Sequence, residues 1–287
     1  MKIISDIERH LENYEKIDIF FDAYSFTTEN ISGYIKYFDL KNKSLLTVGS
    51  SGDQVINASL EGCEDITVCD ICPLTKYYYY LKVASLLVLN RDLFMKFLCE
   101  TNYNLENNPY LYNRQTFDSI KSTLKKLDYD SYYVWEYLFM NYNKFDLNRL
   151  FRNDITMKDT IVHCNNYLKN DNNYKHIKSL IMNTNVKFIT NDISKEKYDR
   201  YFDNIWLSNV AHYLSGEQIV NMFYNTENVL NENGKMLLCY YWNADMSFRD
   251  FIIDEFEYIE SKKEIIPGIS TYQDNGILLY EKTKRLH

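Results

Sequence analysis

Residues 44–70, SLLTVGSSGDQVINASLEGCEDITVCD, admit few backbone arrangements. SLLTV is a short continuous apolar run, the pattern of a strand covered on both faces in a parallel sheet. It breaks at once into Gly49, Ser50, Ser51 and Gly52. The glycines allow unusual backbone dihedrals and let a ligand come close to the main chain. A helix from Asp53 to Glu61 follows and aims its free N–H groups at whatever occupies the turn. Gly62 stops it, ITVCD forms the next strand, and Asp70 with its neighbour Ile71 stands at that strand's carboxyl end. In a Rossmann-type unit a carboxylate at this place accepts hydrogen bonds from ribose hydroxyls.

The acid lies about twenty residues past the turn, as a dinucleotide fingerprint requires, but the turn reads GSSGD and not G-x-G-x-x-G. The expected ligand is therefore a nucleoside without a pyrophosphate, with S-adenosylmethionine the common one. The alternative is a purely structural turn. The run SSGDQ, Asp70, Pro73 and LKVA at Leu81–Ala84 resembles the S-adenosylmethionine:diacylglycerol 3-amino-3-carboxypropyl transferase-like family, which makes betaine-lipid headgroups and has uncharacterised bacterial relatives. The resemblance covers residues 44–98 and returns at FDNIWLSNVAHYL, Phe202–Leu214; between these blocks it is one of layout. It implies the Rossmann-like class I methyltransferase fold: an α/β chain with a mostly parallel seven-stranded sheet, a helical insertion after the second strand, and an antiparallel strand pair at the C-terminus.

The resemblance also implies site residues. The segment before the first strand would lie over the cofactor, making Tyr24 and Phe26 candidate contacts, against a reading as simple packing. Asp192, followed by Ile193, matches the acid that accepts a hydrogen bond from the adenine amino group, a donor only; alternatively Asp192 and Ser194 cap the next turn. The strand ending at Ser208 and Asn209 would form the pocket floor beneath the sulfonium. Asn209 can hold a methionyl group or an incoming nucleophile. His212 and Tyr213 are candidates for taking a proton from the acceptor, the alternative for His212 being a plain helix start.

A net charge of −8 argues against a large nucleic-acid footprint, which demands a basic stripe. No polybasic cluster marks a membrane surface, and the longest apolar patch, around Ala84–Leu89, is far too short to span a bilayer. Acids and bases interrupt the start of the chain, MKIISDIERH, where a signal peptide would be apolar. The expectation is a soluble cytoplasmic protein acting on a small-molecule acceptor, with a lipid a further choice. The six cysteines are scattered and read as reduced thiols. Cys69 and Cys72 form C-x-x-C but straddle Asp70 at a strand end, with no second pair at zinc spacing, so no metal is expected. Tyr77–Tyr80 read as packing residues in a chain that holds 27 tyrosines.

The pattern divides the chain into an N-terminal helical cap (1–43), a cofactor-binding Rossmann-like domain (44–98 and 184–287) and a helical insertion (99–183). The insertion reads as a lid or acceptor platform, or else a side bundle, and shows no β pattern. Helices are expected over 5–16, within 20–40 with Thr28 or Asn30 as cap, over 74–98 as one helix or two joined near Asn90, over 116–127, 131–142 and 211–230, and over 248–256. Later strands are expected at 185–192, 202–210 and 235–242, then 256–266 and 275–283. The functional expectation is an S-adenosylmethionine-dependent transferase moving a 3-amino-3-carboxypropyl or a methyl group. A non-catalytic nucleoside binder and a nicotinamide-dependent oxidoreductase stand as alternatives.

Overall fold

The structure, a computed structural model, describes residues 2–12, 23–99, 107–152, 158–240, 262–266 and 276–282. The strands are β1 (Ala23–Tyr24), β2 (Ser44–Thr47), β3 (Asp65–Asp70), β4 (Phe151–Arg152), β5 (Asn185–Thr190), β6 (Phe202–Trp206), β7 (Leu230–Tyr240), β8 (Lys262–Ile266) and β9 (Gly276–Glu281). Seven of them form one sheet in the order β5-β3-β2-β6-β7-β9-β8. The first five run parallel, and β9 pairs antiparallel with both β7 and β8. This is the class I methyltransferase architecture. The chain reverses its direction of travel across the sheet between β2 and β6, which opens a crevice at their carboxyl ends.

The helices are α1 (Lys2–Glu12), α2 (Ile31–Tyr34), α3 (Asp53–Leu60), α4 (Leu74–Val88), α5 (Arg91–Leu98), α6 (Arg114–Leu127), α7 (Tyr129–Asn141), α8 (Lys144–Asn148), α9 (Lys158–Cys164), α10 (Asp171–Leu180) and α11 (Gly216–Asn228). Because successive strand residues point to opposite faces, the adjacent residues Leu45 and Leu46 enter different cores. Leu45 joins the layer holding α3, α4 and the insertion, whereas Leu46 joins the one holding α11. A strand buried this way has to be largely apolar, as SLLTV is.

Helix ends follow the local chemistry. Asn90 separates α4 from α5 by accepting the Leu93 N–H at 2.9 Å, and Ser215 with Gln218 forms a capping box that starts α11. Between Asn209 and Ser215 the chain makes only a 3₁₀ turn, Val210–Tyr213, so the helix expected from residue 211 begins later. The predicted helix at 248–256 lies outside the described residues.

Two expectations are corrected. The helix expected within 20–40 is short: Ala23–Tyr24 is extended, and Ile31–Tyr34, capped by Asn30, whose side chain accepts from Gly33 N at 3.0 Å, runs on into a 3₁₀ turn over Ile35–Tyr37. The insertion does contain β structure, because Phe151–Arg152 pairs in parallel with Ala23–Tyr24. A two-residue ribbon is too short to leave any periodic trace in sequence. Helices α6 and α7 pack against α4, and α10 packs against α3, so they flank the sheet's helical layer. Among the described residues no helix is long and apolar enough to cross a membrane.

Candidate active site

A cavity of about 300 Å³ opens at the carboxyl ends of β2, β3, β5 and β6. Each strand delivers the residues just past its end: Val48 and Ser50 from β2, Asp70 and Ile71 from β3, Asn191–Ile193 and Lys195 from β5, and Ser208–Val210 from β6. Tyr213 and Leu214 close one side, while Tyr24 and Arg152 reach it from the β1–β4 ribbon. Of the residues singled out in the sequence, Tyr24, Ser50, Asp70, Ile71, Asp192, Ile193, Ser208, Asn209 and Tyr213 come together here.

Asp70 is the structural hub of the first turn. Its Oδ2 accepts the N–H groups of Gly49 and Ser50 at 3.1 and 2.7 Å, and its Oδ1 accepts Cys72 N–H at 2.8 Å. Burial pushes its pKa above the usual carboxylate value, against the lowering effect of these three bonds and of the neighbouring Thr75 hydroxyl. The carboxylate still borders the cavity, where a ligand hydroxyl can compete for its oxygens. Ser50, with φ at 39°, sits at the tip of the turn in the left-handed region.

The other turn residues do different work. A Cβ on Gly49 would lie 2.3 Å from Thr75 Cγ2 and 2.7 Å from Val68 Cγ1, so glycine here permits strand–helix packing. Gly52 has φ at 78° and faces Tyr79, not the cavity. Ser51 and Asp53 are completely buried. Asp53 Oδ1 accepts from Lys82 Nζ at 2.7 Å and Tyr167 Oη at 2.8 Å, and Oδ2 accepts from Thr27 N at 2.7 Å and Ser51 Oγ at 2.8 Å. All of its acceptor directions are taken. The expectation that Asp53 meets a ligand is therefore corrected, and Gly49, Ser51 and Gly52 likewise stand behind the cavity wall. Phe26, 2% exposed, packs beneath Lys82 with its ring centre 4.0 Å from Nζ.

At the β5 end, Asp192 Oδ1 accepts Ser194 N and Oγ at 2.9 and 2.6 Å, and Oδ2 pairs with Lys195 Nζ at 2.9 Å. Burial pushes its pKa up, but the bonds from Ser194 and Lys195 outweigh it and hold the carboxyl below its usual value. Asp192 thus caps its turn and lines the cavity at once. Ile71 is 40% exposed at the β3 end and Ile193 only 4%. Together they give this end of the cavity apolar surface suited to a flat heterocycle.

At the β6 end, Ser208 adopts φ of 56° and Asn209 begins the 3₁₀ turn. Tyr213 Oη lies 3.4 Å from Tyr24 Oη, and Arg152 Nη1 donates to Tyr24 Oη at 3.5 Å. His212 falls in the turn, but its side chain lies outside the described residues. The C-x-x-C thiols border the cavity as protonated groups: burial pushes Cys69 up to about 12 and Cys72 higher still. All six cysteines are free, and among the described residues no group of three His, Cys, Asp or Glu could hold a metal.

Sequence reasoning missed Glu29, Arg152 and Lys82. Glu29 is 8% exposed directly behind the β6 end, where Tyr34 Oη donates to Oε2 at 3.2 Å and Ser208 Oγ donates to Oε1. Its one sequence signal is an acid in the otherwise polar-neutral run SFTTEN. Burial raises its pKa, opposed by hydrogen bonds from Ser208, Tyr34 and Cys239. Between the ordinary carboxylate value and this raised one, the folded chain holds a proton that the unfolded chain has released. Stability from this group therefore falls as pH rises through that window. Glu29→Gln, a neutral isostere, is expected to gain in unfolding temperature over wild type as the pH rises above the ordinary carboxylate range. A gap that does not widen with pH in thermal melts would contradict a raised Glu29.

No protein-family model and no curated protein matches the chain. Solved structures similar to it include the N-methyltransferase NodS from Bradyrhizobium japonicum in complex with S-adenosyl-L-homocysteine, at 11% identity over 98% of each chain with a TM-score of 0.43. The glycopeptide N-methyltransferase MtfA, complexed with the same compound, is 8% identical over 91% of this chain and 92% of its own, TM-score 0.46. A methyltransferase from Pyrococcus furiosus is 11% identical over 99% and 100%, TM-score 0.46. Similarity at this level carries nothing about substrate or chemistry.

Proposed function

We propose that the chain is an S-adenosylmethionine-dependent transferase whose cofactor lies across the carboxyl ends of β2, β3, β5 and β6. The observation that carries the reading is Asp70: it ends β3, borders the cavity, and fixes the turn beside it through three backbone N–H groups. The surroundings fit a nucleoside. Asp70 meets a ribose hydroxyl, Ile71 and Ile193 flank the adenine, and Asp192 accepts from its amino group. Ser50, Ser208, Asn209 and Tyr24 face the amino-acid end. Gly49, Ser51, Gly52 and Asp53 shape the turn from behind. When bound, S-adenosylmethionine supplies an electrophilic carbon on a positively charged sulfur, at its methyl or at the γ-carbon of its amino-acid tail. The chain's part is to exclude water and align a nucleophile. Asn209 orients the acceptor, and Tyr213 with His212 takes its proton.

The finer choice is 3-amino-3-carboxypropyl or methyl transfer to a small molecule or lipid headgroup, in the cytoplasm where free thiols persist. Helices α6 and α7 then serve as a flank, not a lid, because among the described residues Arg152 alone brings the insertion to the cavity. Calorimetry with S-adenosylhomocysteine, with NAD as contrast, tests the ligand class. Mass spectrometry of candidate acceptors then tests turnover: a methyl or aminocarboxypropyl mass gain supports a transferase. Tight binding without turnover on any acceptor would make the chain a nucleoside-binding protein, and binding of NAD alone would overturn the reading.

A further inference from the structure

The β1–β4 ribbon places one cation at the end of the cavity away from Asp192. Side chains alternate along a strand, so Ala23 and Phe151, 1% and 6% exposed, enter the core while Tyr24 and Arg152 reach the cavity. The ribbon is firmly fixed. Phe151 lies 4.4 Å from the ring of Tyr78 and stacks on Tyr112 at 5.5 Å, and Ser25 N donates to Arg152 O at 3.4 Å. Ser25 O in turn accepts from Tyr78 Oη and Lys82 Nζ, both at 2.8 Å. The Arg152 backbone is thus held by the core, and its side chain is half-buried beside Tyr24.

Charge around the cavity is divided. The acids Asp70 and Asp192 line the cavity at the β3 and β5 ends, where Lys195 pairs with Asp192, and the buried carboxyl of Glu29 lies behind the β6 end on Ser208. At the opposite end Arg152, Tyr24 and Tyr213 form a row of donors beside Ser208 and Asn209. A guanidinium flanked by phenol hydroxyls is matched to a carboxylate. Two carboxylates could arrive there: that of the cofactor's amino-acid tail, or one on an acceptor. A nucleoside with its sugar at Asp70 extends its tail along the turn toward this row.

Resting on the cofactor reading above, we infer that Arg152 binds the carboxylate of the amino-acid tail. The insertion is then a cofactor-recognition element, and its two-residue strand exists to carry this one side chain to the site. The pocket should therefore bind nucleoside thioethers that lack the tail more weakly.

The test compares S-adenosylhomocysteine with 5′-methylthioadenosine, which lacks the amino-acid carboxylate, by calorimetry on the full chain. Wild type is expected to prefer S-adenosylhomocysteine by about tenfold or more, the scale of a charged hydrogen bond in a half-buried site. In Arg152→Gln the preference is expected to collapse because the affinity for S-adenosylhomocysteine falls to that for the thioether; Arg152→Lys keeps part of it. Equal affinities in wild type, or a preference that survives in Arg152→Gln, would overturn the inference. Failure of both compounds to bind wild type would instead overturn the cofactor reading. Binding of methylthioadenosine by Arg152→Gln reports that the variant is folded.

Discussion

Lys82→Met is expected to destabilise the fold by about 3–5 kcal/mol, the scale for removing one partner of a buried ion pair. Lys82 and Asp53 are both completely buried, 2.7 Å apart. All three ammonium donors are used: on Asp53 Oδ1, on Ser25 O at 2.8 Å and on Ser51 O at 3.0 Å. Burial lowers the Lys82 pKa and Asp53 opposes that shift. Met fills a similar volume but leaves Asp53 as an uncompensated carboxylate and the Ser51 carbonyl without its ammonium donor, while Ser25 O keeps only Tyr78 Oη. The same pair joins the ribbon segment at Ser25 and Thr27, the turn at Ser51, and the insertion at Tyr167. Urea unfolding measures the loss. A change below about 1 kcal/mol would mean that the pair contributes no more than a surface salt bridge.

Asp70→Asn is expected to weaken S-adenosylhomocysteine binding by roughly two orders of magnitude, as much as Asp70→Ala. Asparagine keeps the shape, yet its amide NH₂ would have to face the N–H of Cys72 or those of Gly49 and Ser50, donor against donor. The variant loses the charged acceptor for the ribose, a loss of about 1.5–3 kcal/mol, and also the anchor of the turn. Calorimetry with each variant decides. Unchanged dissociation constants in both variants would take Asp70 out of the site, and a defect confined to Asp70→Ala would show that shape alone suffices.

Much of this arrangement can be read from the chain because the relevant residues sit at the ends of apolar runs. Asp70, Asp192, Ser208 and Asn209 each close a strand whose hydrophobicity announces it, so the cavity's rim follows from the pattern of the sheet. Other residues had no such marker. Asp53 looks like any acid in a helix's first turn, and Lys82 like any helical lysine, until α10's neighbour Tyr167 and the segment at Ser25–Thr27 bury both. Glu29 and Arg152 come from segments whose structure is set by distant contacts: Glu29 by Ser208, and Arg152 by a strand two residues long. Tertiary packing decides such places, and local propensity is silent there. The turn glycines have packing and backbone reasons of their own: a side chain at Gly49 would meet Thr75 and Val68, and Gly52 holds φ at 78°.

The central claim is that a nucleoside occupies the crevice between the carboxyl ends of β2 and β6. Crystals of the chain grown with S-adenosylhomocysteine test it most directly. The expected density places a ribose hydroxyl on Asp70, adenine between Ile71 and Ile193, and the tail toward Tyr24 and Arg152; density at another surface, or an empty crevice at saturating compound, would contradict it.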